Sequence, residues 1–550
     1  MSLRPTALTP IPEETARVAR AAFPKGTLFM RIRDDLGTIF QDEMFAAVYP
    51  SCGQPTLAPW RLALVTLMQF VENLPDRQAA EAVRSRIDWK YALGLDLCDP
   101  GFDFTVLSEF RTRLIAGGLE DKLLTALVAR CKERGLIKVR GQQRTDSTHV
   151  LAAIRVLSRL ETVGETLRAA LDDLAAVAPD WLAAQVAPDW FERYARRVED
   201  DRLPKGEAAR RAFGETIGRD GHHLLAALWA PAAPPMLRTL LAVETLRRLW
   251  VQHFHCTEGD VRWREAADLP PASLGVESPY DREAHYGTKR GTTWTGYKVH
   301  LTETCDTDAP HLIVQVTTAP APEADADRAA PIQTALVEQG LAPAEHLLDA
   351  GYVDAALLVN GRAAHAITVI GPVRPDASWQ AATAGAYDLG AFAIDWDGQR
   401  ATCPQGQDSR YWTVGQDAWG NPTISVQFAA KTCAACPARQ CCTRAARGGR
   451  TLRLRQQVEH EALQAARREQ QTADWKACYA KRAGIEGTLS EAVRVFGLRR
   501  CRYIGQAKTQ LQHLATAAAL NLARVDAWLC GRARAATRRS AFAALQPEVA

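Results

Sequence analysis

The sequence predicts a mixed α/β protein in which an α/β core follows one helical region and is interrupted by two segments of different character. Three observations predict it. Between residues 295 and 371, strand-like runs alternate with helical ones, the arrangement of an α/β sheet. Residues 1–140 carry apolar side chains at helical spacing. From Pro372 to about Leu454 the pattern dissolves into Gly, Gln, Trp and Cys, and helix then resumes from roughly His460 to Leu529. At 550 residues the chain is too long for one core and suggests three or four packed units.

In the N-terminal region, Leu62, Val65, Leu67, Phe70 and Val71 recur at roughly helical spacing, and a second pattern runs from Asp76 to Val83 after Pro75. The apolar run Trp60 to Val71 is broken by Arg61 and Gln69 and is too short to cross a bilayer. No signal peptide or membrane anchor is read at the start, so a soluble cytoplasmic protein is expected. Thr105 to Leu114 is expected to be a helix with arginines on its exposed side, which fits a DNA-binding bundle. A helical dimerisation or scaffolding domain is the blander alternative.

At Gly141 the character changes. Arg144-Thr-Asp-Ser-Thr-His-Val150 reads as a strand. Residues 155–265 return to amphipathic helix, with an echo at Ala178-Pro-Asp-Trp181 and Ala187-Pro-Asp-Trp190 that reads as two helix starts. A linker, Leu269 to Gly275, precedes strands at Thr295–Thr302, His311–Thr318, His346–Asp349 and Ile367–Gly371. Helices at Glu323–Glu338 and Asp354–Ala364 separate them.

Charge is unevenly placed. From Lys431 to Ala550 there are 22 Lys plus Arg against 8 Asp plus Glu, a net of +14 that leaves −10 for the rest of a chain whose total is +4. A basic C-terminal fifth suits a polyanion, most commonly nucleic acid; a solvated basic tail, such as Arg532 to Arg539, is the alternative.

Three acids stand where an α/β core would gather them: Asp146 in mid-strand, Asp349 at the end of a strand before Ala350-Gly351-Tyr352, and Glu486 in a helix. Three close carboxylates repel unless they bind hard cations, and two magnesium ions are the usual means of cutting or joining phosphodiesters. Each acid has a structural alternative: an Asx turn at Asp146, a strand-to-loop turn at Asp349, and an i,i+4 ion pair between Arg482 and Glu486. Tyr479, Arg482 and Glu486, spaced three and four apart, would form one helical stripe suited to clamping phosphate beside a metal. Gly484 and Gly487 on either side of the glutamate would let another backbone approach.

Arg144-Thr-Asp-Ser-Thr-His149, Leu348-Asp-Ala-Gly-Tyr352 and Tyr479-x2-Arg482-x3-Glu486-Gly-Thr-x-Ser490 together resemble the acidic motifs of the DDE transposases of bacterial insertion sequences, and Pro59 to Leu114 resembles a common N-terminal domain of that group. The resemblance implies an RNase H-like core, two divalent ions (Mg2+ or Mn2+) held by Asp146, Asp349 and Glu486, and cut-and-paste chemistry on double-stranded DNA. It makes Tyr479 and Arg482 contacts to the transposon end. Relatives often carry a lysine seven residues after the glutamate, where this chain has Val493 with Arg494 beside it, rotated by about 80–100° from the stripe. Arg494 is the candidate replacement as a DNA contact.

Eight of the thirteen cysteines are scattered and five fall between Cys403 and Cys442. Cys403, Cys433, Cys436 and Cys442 have the spacing of a tetrahedral zinc site, with Cys441 as alternative fourth ligand and an incidental or redox cluster as the competing reading. The pairs His222-His223 and His253-x-His255 lack a matching ligand set and read as structural or surface residues.

The organisation expected is a helical DNA-binding domain at 1–140 and an RNase H-like core from 141–154, 276–371 and 460–529. A helical insertion with linker occupies 155–275, a Cys-rich lobe 372–459 and a basic tail 530–550. The resemblance also implies terminal inverted repeats and target DNA as partners and at least a dimer in the active assembly. A structure-selective RNase H-like nuclease and a catalytically idle transposase-derived DNA-binding protein are the rival functions.

Overall fold

A computed structural model describes residues 2–3, 5, 10–257, 260–289, 291–418, 420–533 and 545. Most of the basic tail, including Arg534 to Arg539, lies outside them.

The core sheet has six strands: β1 (Gln142–Leu151), β2 (His285–Lys289), β3 (Thr292–Thr304), β4 (Ile313–Pro320), β5 (Glu345–Leu347) and β6 (Thr368–Ile370). Their order is β4–β3–β1–β5–β6, with β2 paired to the first residues of β3. β1 runs antiparallel to β3 and parallel to β5, and β5 runs parallel to β6. The parallel pairs need crossovers, and helices Ala326–Glu338 and Ala355–His365 provide them. Asp354 caps the second by accepting from Leu357 N–H at 2.7 Å. β3 is longer than its sequence pattern indicated and β2 was not anticipated: the Gly, Thr and Lys content around 285–295 hides a hairpin.

Helices build further layers on this sheet. Pro59–Val71 starts with proline at its first position and is buried along nearly its whole length, so the apolar run is a core helix. It packs on Gln506–Leu529, which in turn packs on β4. The N-terminal helices, β3, β4 and helices Gly484–Phe496 and Gln506–Leu529 therefore share one continuous hydrophobic core. No helix among the described residues is long and apolar enough to cross a membrane.

The helix Thr105–Ala116 does not present its arginines as expected. Arg111 is buried, 2.5 Å from Asp76 and stacked over Tyr503, and Arg113 lies over Tyr49. A carboxylate and aromatic faces draw these guanidinium groups inward.

Between β1 and β2 the chain builds a helical lobe with its own core of Leu160, Leu167, Ile217, Leu246, Trp250 and neighbours. Ser158 and Glu161 form a capping box at its first long helix, Arg159–Val177. Short helices begin at Pro179 and Asp189, at the two copies of the echo. The lobe ends in a hairpin, Phe254–Thr257 with Asp260–Trp263, where helix was expected. His253 is buried against Trp263, and His255 pairs with Asp268 at the surface.

The Cys-rich segment contains a three-stranded antiparallel sheet (Tyr411–Gln416, Pro422–Gln427, Thr451–Leu454) and a two-stranded one (Ala393–Asp395, Arg400–Thr402). Its core is small, centred on Phe392, Ile424, Val426, Phe428 and Leu452.

Candidate active site

β1 carries Asp146 at its centre, opposite Leu301 of β3. The residue is only 8% exposed, and its Oδ1 accepts from Ser147 N–H at 2.7 Å. Asp349 does not end a strand as expected. β5 stops at Leu347, and Asp349 begins the turn that follows, its Oδ1 accepting from Gly351 N–H at 2.9 Å. The turn aims the carboxylate off the end of the parallel strand, where open α/β sheets place ligands.

Tyr479, Arg482 and Glu486 do not share one regular helix. Tyr479 lies in the last turn of Ala473–Ala480, Arg482 lies in the tightened turn Lys481–Ala483, and Glu486 is in the first turn of Gly484–Phe496. The backbone stays right-handed helical throughout, so the stripe survives with a local overwinding.

The three predicted acids meet on one guanidinium. Arg482 lies 2.6 Å from Asp146 Oδ2, 3.6 Å from Asp349 Oδ2 and 3.2 Å from Glu486 Oε1. Arg482 is largely enclosed, whereas Glu486 is 67% exposed at the mouth. Burial pushes the Asp146 carboxyl above the usual aspartate range, against the pull of Arg482. Burial likewise raises the Tyr479 phenol, whose ring stacks on Trp475 at 4.8 Å. Arg494 is not brought to this cluster; it is exposed and donates to Ser490 O on its own helix.

Gly484 is needed for a side chain, not for another backbone. A Cβ there would overlap the Arg144 guanidinium, while Gly487 faces open space. Arg144 belongs to a buried network that sequence reasoning missed. It donates to Glu303 Oε1 at 2.7 Å and to Lys481 O, which anchors the turn carrying Arg482. Glu303 is fully buried and also accepts from Arg524 at 2.8 Å and Thr488 Oγ1 at 2.7 Å. Burial alone would raise the Glu303 carboxyl, but Arg524 and Arg144 outweigh it and hold it below its ordinary range. This network fixes the Glu486 helix and the Arg482 turn against β1 and β3. The available signal was a glutamate inside the β-branched run of β3, since carboxylates in such places need partners.

A second set lies on the other face of β1. Ser147 donates to Asp325 Oδ1 at 3.2 Å, and Asp325 is held by Lys298 at 2.9 Å and Lys289 at 3.3 Å. Beside it, Tyr352 and His300 are joined at 2.6 Å, and burial pushes His300 down to about 3.

In the small lobe, Cys403, Cys433, Cys436 and Cys442 line one cavity, and Cys441 does not. Burial pushes the Cys442 thiol up, and nearby Cys433, Cys403 and Cys436 add to the effect. Arg450 N–H points at Cys433 Sγ from 3.5 Å. Among the described residues, no group of three or more His, Cys, Asp or Glu side chains stands ready-made to hold a metal ion. In the acidic cluster the reason is visible: Arg482 occupies the position between the carboxylates.

Two family models match the chain, the transposase DDE domain over residues 402–525 and the transposase domain DUF772 over residues 18–113. The first covers the four cysteines, Tyr479, Arg482 and Glu486, and leaves Asp146 and Asp349 outside. No curated protein and no solved structure matches. The DDE domain implies an RNase H-like fold, and its family generally uses divalent metal ions. Transposase families matching near both ends, with three acids gathered on one arginine, support a DDE transposase of an insertion sequence.

Proposed function

We propose that this transposase binds the terminal inverted repeats of its own insertion sequence and carries out metal-dependent strand cleavage and strand transfer on double-stranded DNA. The convergence of Asp146, Asp349 and Glu486 on Arg482 carries the reading, because it joins residues from three distant parts of the chain in one anionic pocket at a strand end. The sheet order β4–β3–β1–β5–β6 supports an RNase H-like core formed from 141–154, 276–371 and 460–529, with helical and Cys-rich insertions at 155–275 and 372–459. The helices of 1–140 then form the DNA-binding region, acting from a core shared with the catalytic sheet.

The acidic pocket is a hard-oxygen donor set, which fits Mg2+ or Mn2+, and Asp146, Asp349 and Glu486 would hold the ions. Bound there, the metals would supply activation of water or a 3′-hydroxyl and stabilisation of the leaving oxygen. The protein's own part is positioning and charge. β1 and the β5 turn hold two carboxylates rigidly, and the Arg144–Glu303 network places the helix bearing the third. Arg482 pairs with the acids of the pocket and would turn to the DNA phosphates, with Tyr479 beside it. Arg494, exposed on the next turns, would contact DNA further from the cut. Action at two ends requires at least a dimer, in the cytoplasm and on the nucleoid when bound.

Four thiols around one cavity fit a structural zinc, with Cys403, Cys433, Cys436 and Cys442 as ligands. The purified protein is expected to carry zinc, and Cys433→Ser to lose it together with protease resistance of residues 372–459. Metal analysis showing no zinc in folded protein would overturn this.

Affinity for DNA carrying the gene's native flanks is expected to fall steeply with salt, the logarithmic slope being about −0.9 per phosphate contacted. A salt-insensitive complex, or none, would contradict the proposal.

A further inference from the structure

Resting on that transposase reading, we infer that the β2–β3 hairpin clasps DNA across the acidic pocket and that Lys289 at its tip contacts the phosphate beside the bond being cut. Lys289 lies opposite Thr292 in the hairpin, whereas Ser147 lies opposite His300, eight positions further along β3. In an unbent ladder those points would be about 26 Å apart, far beyond the reach of a lysine. Yet the Lys289 ammonium is 3.4 Å from Ser147 Oγ. The hairpin therefore doubles back over the sheet.

The pairings of β3 with β2 and with β1 meet at Gly296. Its φ is +152°, and a Cβ there would overlap Val150 O and crowd Ala152 N, so β1 and β3 approach at this point too closely for any side chain. The ladder thus folds back far enough to bring Lys289 beside Ser147 and Asp325, next to the turn that carries Asp349.

The two lysines on Asp325 differ in what they can do. Lys298 is 9% exposed and also donates to Glu323 O at 2.6 Å, which makes it part of the framework. Lys289 is 43% exposed. If it turns to a phosphate, Asp325 keeps Lys298 and Ser147 as partners. Arg482 is engaged by the three acids and Arg494 by its own helix, so neither already supplies an exposed cation on the Ser147 side of β1. A DNA strand running past the turn that carries Asp349 meets Lys289 there.

The test uses single-turnover cleavage and equilibrium binding of a duplex carrying the gene's native flanks, with wild type, Lys289→Ala and Lys289→Arg. Lys289→Ala is expected to bind within about twofold of wild type and to cut roughly 10- to 100-fold more slowly, with most of the rate restored by Lys289→Arg. A neutral methylphosphonate beside the cut site is expected to slow wild type by a similar factor and to leave Lys289→Ala unchanged. A purely structural lysine would not produce that non-additivity. Wild-type cutting by Lys289→Ala, or equal slowing of both proteins by the methylphosphonate, would overturn the inference and leave the transposase reading standing. Failure of wild type itself to cut in an Asp349-dependent way would overturn both.

Discussion

Asp349→Asn is expected to bind the element's terminal DNA with nearly wild-type affinity and to cut it on the order of a thousandfold more slowly. The substitution is close to isosteric. Asn Oδ1 would still accept from Gly351 N–H, so the turn after β5 keeps its form. Only the charge is lost, and with it the second of three carboxylates available to a divalent ion. The proposed DNA contacts at Tyr479 and Lys289 are untouched. Binding and cleavage assays on one preparation check it; loss of binding with cleavage of the bound fraction intact would refute the assignment.

Glu303→Gln is expected to destabilise the protein by about 3–5 kcal/mol, the usual cost of breaking a buried ion pair from one side. Arg144 and Arg524 both lose their shared countercharge, and the Arg482 turn and Glu486 helix lose the tie that positions them. The pH dependence has a definite sign. Because the folded Glu303 carboxyl lies below its ordinary value of 4.5, its stabilisation is complete above that value and is lost as pH falls through the folded one. Denaturant titrations down through that range should show an acid-sensitive component in wild type that Glu303→Gln lacks. Equal stability of the two proteins at neutral pH would show that the network contributes nothing.

What was legible in the sequence is what local pattern encodes. The β-branched run around Asp146 announced β1, the spacing of Leu62, Val65, Leu67, Phe70 and Val71 announced a helix, and the spacing of Tyr479, Arg482 and Glu486 announced a shared face. CxxC spacing singled out four cysteines, and Cys403, Cys433, Cys436 and Cys442, but not Cys441, line one cavity. What was not legible depends on contacts between residues far apart in the chain. Arg144 and Glu303 are separated by 159 positions, and Glu303 and Arg524 by 221. Periodicity says nothing of such pairs.

Arg111 illustrates the opposite error. Its place on an amphipathic helix suggested exposure, but Asp76 and Tyr503, one of them nearly 400 residues away, draw it inside. The β2–β3 hairpin was missed because Gly287 and Gly291 interrupt the strand pattern ahead of Thr295, while Gly296 already stood inside the expected strand. Gly291 at φ +80° makes the tight turn and Gly296 the close approach of β1 and β3, so two of the three are structural requirements of a strand pair.

The most direct measurement is an excision assay in bacteria. The gene's native flanks bracket a cassette interrupting a reporter, the protein is supplied in trans, and Asp349→Ala serves as control. The account predicts reporter restoration with wild type and none with Asp349→Ala, with junction sequences marking the terminal repeats. Restoration that is equally frequent with Asp349→Ala, or absent with folded wild-type protein that binds those flanks, would contradict it.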